Sequence, residues 1–149
     1  MFQQLNKSDL PWALLLEADP DKNKVIAYVT NGDGFIWKEQ DEVIGVLVYE
    51  IRETECEIMN VSVADAHQGR GIGGKLIDHA LEQFSKECKQ PTKILIRTGS
   101  ITNPALHLYQ KKGFKEVSRE KDYFINNYPE PIYEEGILLR DQVTLSKEL

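Results

Sequence analysis

The feature that most constrains this chain is a glycine-rich stretch between a strand-like apolar run and a run with helical spacing. It covers residues 68–75 and has the sequence Gln-Gly-Arg-Gly-Ile-Gly-Gly-Lys. Glycines leave the backbone bare, so at the start of a helix several N–H groups point outward with no side chain in the way. Such a helix start attracts anions. We call residues 68–75 the glycine loop and predict that it binds a phosphate group.

The chain before the glycine loop predicts an antiparallel meander. Strands are predicted for residues 2–5, 35–38, 43–51 and 55–63. The last three are β-branched and aromatic runs separated by short polar turns, which is typical of consecutive antiparallel strands. Two short helices are expected after the first strand, because Asp19-Pro20-Asp21 ends one helix and can open the next.

The chain after the glycine loop predicts a helix followed by a parallel strand. From Leu76 onward apolar positions recur at helical spacing, and this helix is expected to end near Gln90-Pro91. A strand at residues 93–97 follows. Because a helix crosses over between them, this strand should run parallel to the strand at 55–63.

The last third of the chain predicts one helix and two strands. Asn103 can cap the start of the helix, and Gly113 suits a left-handed C-terminal cap. Strands are expected at residues 114–119 and 132–139. We call residues 123–135 the insert, because a connection of this length in a compact domain is usually functional or ordered by a partner. Disorder is expected, if anywhere, only at the C-terminal tail.

Composition limits the choice of partner and compartment. With 18 basic and 24 acidic residues the net charge is −6, which argues against nucleic acid and suits a cationic substrate. No apolar run approaches the ~18 residues of a membrane span, and the start lacks the pattern of a signal peptide. Cys56 and Cys88 are expected to be buried free thiols. We therefore expect a cytoplasmic protein, without a membrane partner, folded as one domain over residues 1–149.

The sequence of the glycine loop can be interpreted as either of two known kinds of phosphate-binding loop. Gly69-x-Gly71-x-x-Gly74 matches the dinucleotide fingerprint. That fingerprint starts at the end of its strand and has an acid about 20 residues further on. Here five residues separate Val63 from Gly69, and the next predicted strand ends in Arg97. A dinucleotide site is therefore the less favoured alternative, as is a glycine turn without a ligand.

The spacing Gln68-x-x-Gly71-x-Gly73 resembles the acyl-CoA loop of the GNAT superfamily of N-acetyltransferases. The helix that begins at Asn103 and carries Tyr109, closed by Gly113-Phe114, is similar to the helix after the fifth strand of that family. Shorter segments resemble a bacterial subgroup of acetyltransferases. The resemblance implies an α/β (α+β) fold with a mixed, mostly antiparallel sheet of about six to seven strands flanked by helices, with a splayed parallel strand pair at its centre.

The resemblance also implies acetyl-CoA as co-substrate, with no metal. Backbone N–H groups of the glycine loop would hold the CoA pyrophosphate at a helix start. The strand before the loop would pair with the pantetheine arm. Asn103 carries over as a CoA contact, although N-capping explains it equally well. The implied cofactor-binding residues are Val61, Ser62, Val63, Gln68, Gly69, Arg70, Gly71, Ile72, Gly73, Gly74 and Asn103.

Two residues are implied in proton transfer. Tyr109 is expected to protonate the departing thiolate, with a core tyrosine as the alternative. Glu57 occupies the strand position where several family members place a glutamate base, with Glu55 two residues earlier on the same face. For both glutamates the alternative is an exposed cross-strand pair.

The function implied is transfer of an acetyl group from acetyl-CoA to a primary amine by direct attack in a ternary complex. The net charge, and the acidic and aromatic residues of the insert, favour a small cationic acceptor. A protein N-terminus or lysine is the alternative acceptor. The alternative to catalysis is a degenerate acyl-CoA-binding sensor or interaction domain. A homodimer is common in the family.

Overall fold

One mixed sheet organises the part of the chain that the structure, a computed structural model, describes: residues 1–88, 92–101 and 103–149. Its strand order is β1-β2-β3-β4-β5-β9-β6, and β7 and β8 form a separate hairpin. The strands are β1 (Phe2–Gln4), β2 (Asp33–Glu39), β3 (Glu42–Ile51), β4 (Glu55–Val63), β5 (Lys93–Gly99), β6 (Lys115–Glu120), β7 (Tyr133–Glu134), β8 (Ile137–Leu138) and β9 (Gln142–Glu148). The helices are α1 (Trp12–Ala18), α2 (Lys22–Asn31), α3 (Ile72–Glu87), α4 (Pro104–Lys111) and α5 (Tyr123–Asn127).

The predicted meander and the predicted parallel pair are both confirmed. β2, β3 and β4 pair antiparallel in succession, and β4 pairs parallel with β5. The turn between β2 and β3 is a tight one, because Gln40 and Asp41 both have positive φ. Two such residues give the turn a twist that matches the flanking strands. The mixed sheet of the expected fold class is therefore present.

The two central strands separate part of the way along. Their ladder runs from Glu55↔Lys93 to Ile58↔Ile96, although β4 continues to Val63 and β5 to Gly99. The separation begins where β4 has a bulge, since its register with β3 shifts after Ile58. A bulge bends its strand away from a neighbour. We call the opening between β4 and β5 the splay.

Each face of the sheet carries its own apolar core. Helices α3 and α4 cover one face, where Leu76, Phe84 and Tyr109 join the buried cluster. Helices α1 and α2 cover the other, with Leu15 and Val25 fully buried. A ligand that approaches from one face can therefore meet a ligand from the other only through the splay.

In the last third of the chain the predicted helix and the predicted strand at 114–119 are present as α4 and β6, but two other predictions fail. Residues 142–148 form β9, which lies between β5 and β6, so the C-terminal tail is ordered. The predicted strand at 132–139 is instead a hairpin of β7 and β8, because Glu135 and Gly136 adopt positive φ and turn the chain. Helix α3 ends at Glu87, and its predicted end at Gln90-Pro91 lies outside the described residues.

Candidate active site

The backbone of the glycine loop requires glycine at two points. Gly69 has φ +81° and Gly71 has φ +78°, in the left-handed region that costs other residues about 1–2 kcal/mol. An added Cβ at either position would meet nothing within 4 Å. The requirement is therefore one of backbone conformation, and the space outside the loop is open to a ligand.

The loop presents a row of backbone donors to that open space. Among the described residues, no acceptor from the protein is found for the backbone N–H groups of residues 69–74. The first bond of α3 runs from the Lys75 N–H to the Gly71 carbonyl, and no side chain caps the helix. Unpaired N–H groups at a helix start carry about half a positive charge. This geometry fits the pyrophosphate predicted here.

The side chains of the loop contact protein atoms. Gln68 donates to the Val63 carbonyl and to Asp65, both at 3.1 Å. Arg70 donates to both oxygens of Glu39, at 3.1 and 3.0 Å. The pKa of Glu39 is lowered by the hydrogen bond from Trp37 and by that from Arg70. The side chains of Gln68 and Arg70 therefore position the loop through contacts within the protein. Contact between the loop and CoA stays a prediction.

The end of β4 has one paired and one unpaired edge. Val61, Ser62 and Val63 pair with Leu47, Val46 and Gly45 of β3 on one side. On the side of β5, within the described residues, the ladder has already ended at Ile58. Extended backbone with an open edge can accept another extended chain, as the predicted contact with pantetheine requires.

Tyr109 lies on α4 with its ring in the core. It is 8% exposed, and its hydroxyl makes no hydrogen bond to any residue that the structure describes. Burial, with a smaller contribution from the charge of Glu134, raises the pKa of Tyr109 to about 12. The phenol is therefore protonated at neutral pH and has an unused proton to donate.

Both polar atoms of the Asn103 side-chain amide form hydrogen bonds within the protein. Its Oδ1 accepts from the Leu106 N–H at 2.9 Å, which confirms the predicted N-cap of α4. Its Nδ2 donates to Glu134 Oε2 at 2.9 Å. The second bond fastens the β7–β8 hairpin to the start of α4. A contact between Asn103 and CoA stays a prediction.

Glu57 is buried and held by two arginines. It is 4% exposed, and its Oε1 accepts from Arg52 Nη1 at 2.9 Å and also from Arg97 Nη1. Arg52 is in turn bonded to Glu50 and Glu55. Glu57 therefore lies in an ion-pair network that the sequence did not predict, and its role as a base stays a prediction. The proximity of Glu57 to Arg97 follows from the parallel register of β4 and β5.

A cavity of about 630 Å³ opens at the splay, on the face covered by α1 and α2. It is bounded by these two helices, the diverging parts of β4 and β5, and the insert. Its acidic residues outnumber its basic ones, and one wall is aromatic. The acids are Glu17, Asp19, Glu50, Glu57 and Glu134; the bases are Lys24, Arg52 and Arg97; the aromatic residues are Tyr28, Tyr123, Phe124, Tyr128 and Tyr133.

Hydrogen-bonded side chains form part of the wall of the cavity. Asp19 accepts from Tyr128 at 3.0 Å and from Tyr28 at 3.3 Å, and Asn60 donates to the Tyr28 hydroxyl at 2.9 Å. Burial and the Asp19 charge raise the pKa of both tyrosines. The contact between Tyr128 and Asp19 fixes the insert to the end of α1. Sequence analysis missed it because no local pattern links residues this far apart.

Three other predictions concern metals, membranes and cysteines. Within the described parts of the chain, no group of side chains suited to hold a metal ion is found. Nor does any helix there combine the length and the apolar character needed to cross a membrane. Cys56 is a buried free thiol, as predicted, whereas Cys88 is only half-buried; their sulfur atoms are 3.5 Å apart.

Comparison with known proteins decides between the families that the glycine loop left open. The model of the acetyltransferase (GNAT) domain matches residues 30–116. The chain belongs to the GNAT family. It is therefore an acyltransferase that depends on acetyl-CoA. This finding removes the dinucleotide alternative, whereas the ligand of the glycine loop itself stays a prediction.

Three similar proteins support this assignment. The uncharacterized N-acetyltransferase YvbK of Bacillus subtilis (strain 168) is 37% identical over 143 residues, which cover 95% of this chain and 91% of YvbK. A GNAT family acetyltransferase from Elizabethkingia anophelis, solved with acetyl-CoA bound, is 35% identical with a TM-score of 0.92. The match covers 100% of this chain and 97% of that protein. An IAA acetyltransferase from Bacillus cereus ATCC 14579 is 40% identical with a TM-score of 0.92, and 100% and 99% of the two chains are covered.

Proposed function

We propose that this GNAT protein transfers the acetyl group of acetyl-CoA to a primary amine of a small cationic molecule, by direct attack in a ternary complex. The observation that carries this proposal is the cavity at the splay. Five acidic and three basic side chains line it, beside an aromatic wall. An excess of carboxylates attracts a cation, and aromatic faces add a favourable cation–π interaction.

The two faces of the sheet give donor and acceptor separate routes. The glycine loop and the open edge of β4 would hold acetyl-CoA on the side of α3 and α4. The acceptor would enter the cavity on the side of α1 and α2. Both routes would end at the splay, where the thioester carbon and the amine nitrogen would come within reach of each other. This arrangement supports direct transfer, because neither substrate has to leave before the other binds.

Tyr109 would stabilise the departing sulfur. Because its pKa is about 12 and a reference thiol has a pKa near 8.5, the phenol is a weak acid towards a thiolate. A hydrogen bond from the phenol to the developing thiolate is therefore the favoured role. The sequence-based prediction that Glu57 takes the proton of the amine is tested separately below.

Thiol release from acetyl-CoA across an amine panel tests the proposal. The panel contains spermidine, putrescine, tyramine, free lysine and a peptide with a free N-terminus, and mass spectrometry identifies the acetylated product. We expect turnover of a small amine and weak or no turnover of the peptide. Preference for the peptide would show that the acceptor is a protein N-terminus and not a small amine. Binding of acetyl-CoA by calorimetry without turnover of any amine would instead favour a sensor domain.

A further inference from the structure

Glu134 is a cavity carboxylate with a single polar attachment to the protein. It lies on β7, half-buried, and lines the cavity at the splay. Its Oε2 accepts from Asn103 Nδ2 at 2.9 Å, the one hydrogen bond to its side chain among the described residues. This bond fixes the carboxylate at the start of α4 without neutralising its charge. The group is thus positioned and still able to bind a cation.

The charge of Glu134 also acts on the phenol of Tyr109. Tyr109 follows Asn103 by six residues, about 9 Å along the helix axis. Side chains on a helix lean towards its N-terminus, the end of α4 at which Asn103 holds the Glu134 carboxylate. Glu134 is the one charged group whose field raises the pKa of Tyr109. The groups considered for proton removal and for sulfur stabilisation are therefore coupled electrostatically.

Glu57 is placed less well for accepting a proton. Its Oε1 already accepts from two guanidinium groups, those of Arg52 and Arg97. A substrate ammonium at that oxygen would have to displace an arginine and would meet two positive charges. Glu134 has no basic partner in the described chain. Burial, opposed by the Asn103 hydrogen bond, raises the pKa of Glu134 and makes it a stronger base than an ordinary carboxylate.

We propose that Glu134 receives the ammonium group of the acceptor and takes its proton, with Asn103 as the positioning residue. This inference rests on the proposed function. The amine arrives as R–NH₃⁺, and one proton passes from nitrogen to a Glu134 oxygen. The nitrogen lone pair then forms the C–N bond to the acetyl carbon while the carbonyl π pair moves onto oxygen.

The second half of the reaction completes the proton balance. When the adduct collapses, the C–S bond breaks and its electron pair stays on the CoA sulfur. The second proton of the nitrogen passes to that sulfur, which the Tyr109 hydroxyl stabilises by a hydrogen bond. The products are the amide and the CoA thiol, and Glu134 returns its proton to solvent.

The pH dependence follows from the groups around Glu134. Burial is the main cause that raises its pKa, the Asn103 hydrogen bond lowers it, Glu135 on the same hairpin raises it, and Tyr109 on α4 interacts with it. Glu57, Arg52 and Arg97 line the same cavity. The ionised form of Glu134 is the active one, so kcat/KM should fall as the pH drops through its raised pKa.

The test is Glu134→Gln, assayed with the amine from the panel that is turned over best. Glutamine keeps the size of the side chain and can still accept from Asn103. We expect kcat/KM near neutral pH to fall about 10²–10⁴-fold, with acetyl-CoA affinity and thermal stability unchanged. The loss should shrink as the pH approaches about 10, where a typical amine is already neutral. Glu134→Asp, which keeps the carboxylate, should recover part of the rate.

The matched control is Glu130→Gln, an exposed acid of the same insert that does not line this cavity, and its rate should equal that of the wild type. A Glu134→Gln rate close to wild type would overturn the inference, as would a loss of equal size at every pH. Failure of the wild type to acetylate any amine would instead overturn the proposed function itself. The two failures are therefore distinguishable.

Discussion

Removing the Tyr109 hydroxyl should slow acetyl transfer without weakening the protein or its hold on acetyl-CoA. The hydroxyl makes no hydrogen bond within the described residues, so Tyr109→Phe leaves no partner unsatisfied. The cost in the free energy of unfolding should be about 1 kcal/mol or less. A change in rate can then be ascribed to the reaction.

The structure also sets the size of the expected effect. With its pKa at about 12, Tyr109 lies about 3.5 pH units above a reference thiol, so complete transfer of its proton to the thiolate would cost about 5 kcal/mol. Tyr109 should therefore act as a hydrogen-bond donor throughout. Loss of one preorganised donor to a developing charge lowers kcat about 10²–10³-fold.

The assay is thiol release under saturating acetyl-CoA, combined with calorimetry for acetyl-CoA affinity. Tyr49→Phe is the matched control. Tyr49 is also buried, has its pKa raised to about 12 by burial, and lies in the same apolar core. We expect Tyr49→Phe to keep the wild-type kcat. Equal rates for Tyr109→Phe and the wild type would refute the role of Tyr109. Equal losses of rate in Tyr109→Phe and Tyr49→Phe would show that the loss comes from disturbed core packing and not from the reaction.

Three further substitutions separate the parts of the site. Gly71→Ala forces a left-handed alanine, which should cost about 1 kcal/mol or more and weaken acetyl-CoA binding by calorimetry; unchanged affinity would remove the loop backbone from the cofactor site. Arg70→Ala should weaken acetyl-CoA binding only a few-fold, because its guanidinium is bonded to Glu39 and acts by positioning the loop, and a much larger loss would show that it binds phosphate directly. Glu57→Gln should lower the free energy of unfolding by about 1–2 kcal/mol in urea denaturation, since both arginine partners are partly exposed. It should also lose less activity than Glu134→Gln; the reverse order would return the role of base to Glu57.

The local features of the site were predictable from sequence because their signals lie within a few neighbouring residues. The glycines of the loop, the Asn103 cap and the alternation along β4 each reflect a backbone conformation or a periodicity that the residues themselves impose. β9 also has a local signal, since Val143 and Leu145 alternate with more exposed residues, but it differs from the expectation that any disorder would lie in this tail.

Only the tertiary structure decided which side chains meet. The pairing of Glu57 with Arg97 depends on the parallel register of β4 and β5, and that of Asn103 with Glu134 on how the insert folds back over α4. Tyr128 reaches Asp19 across 109 positions of sequence. Such contacts have no local signature, because they arise from chain closure around a shared core. The sequence by itself thus determined the glycine loop and the family, whereas the fold decided which carboxylates of the cavity at the splay are already paired.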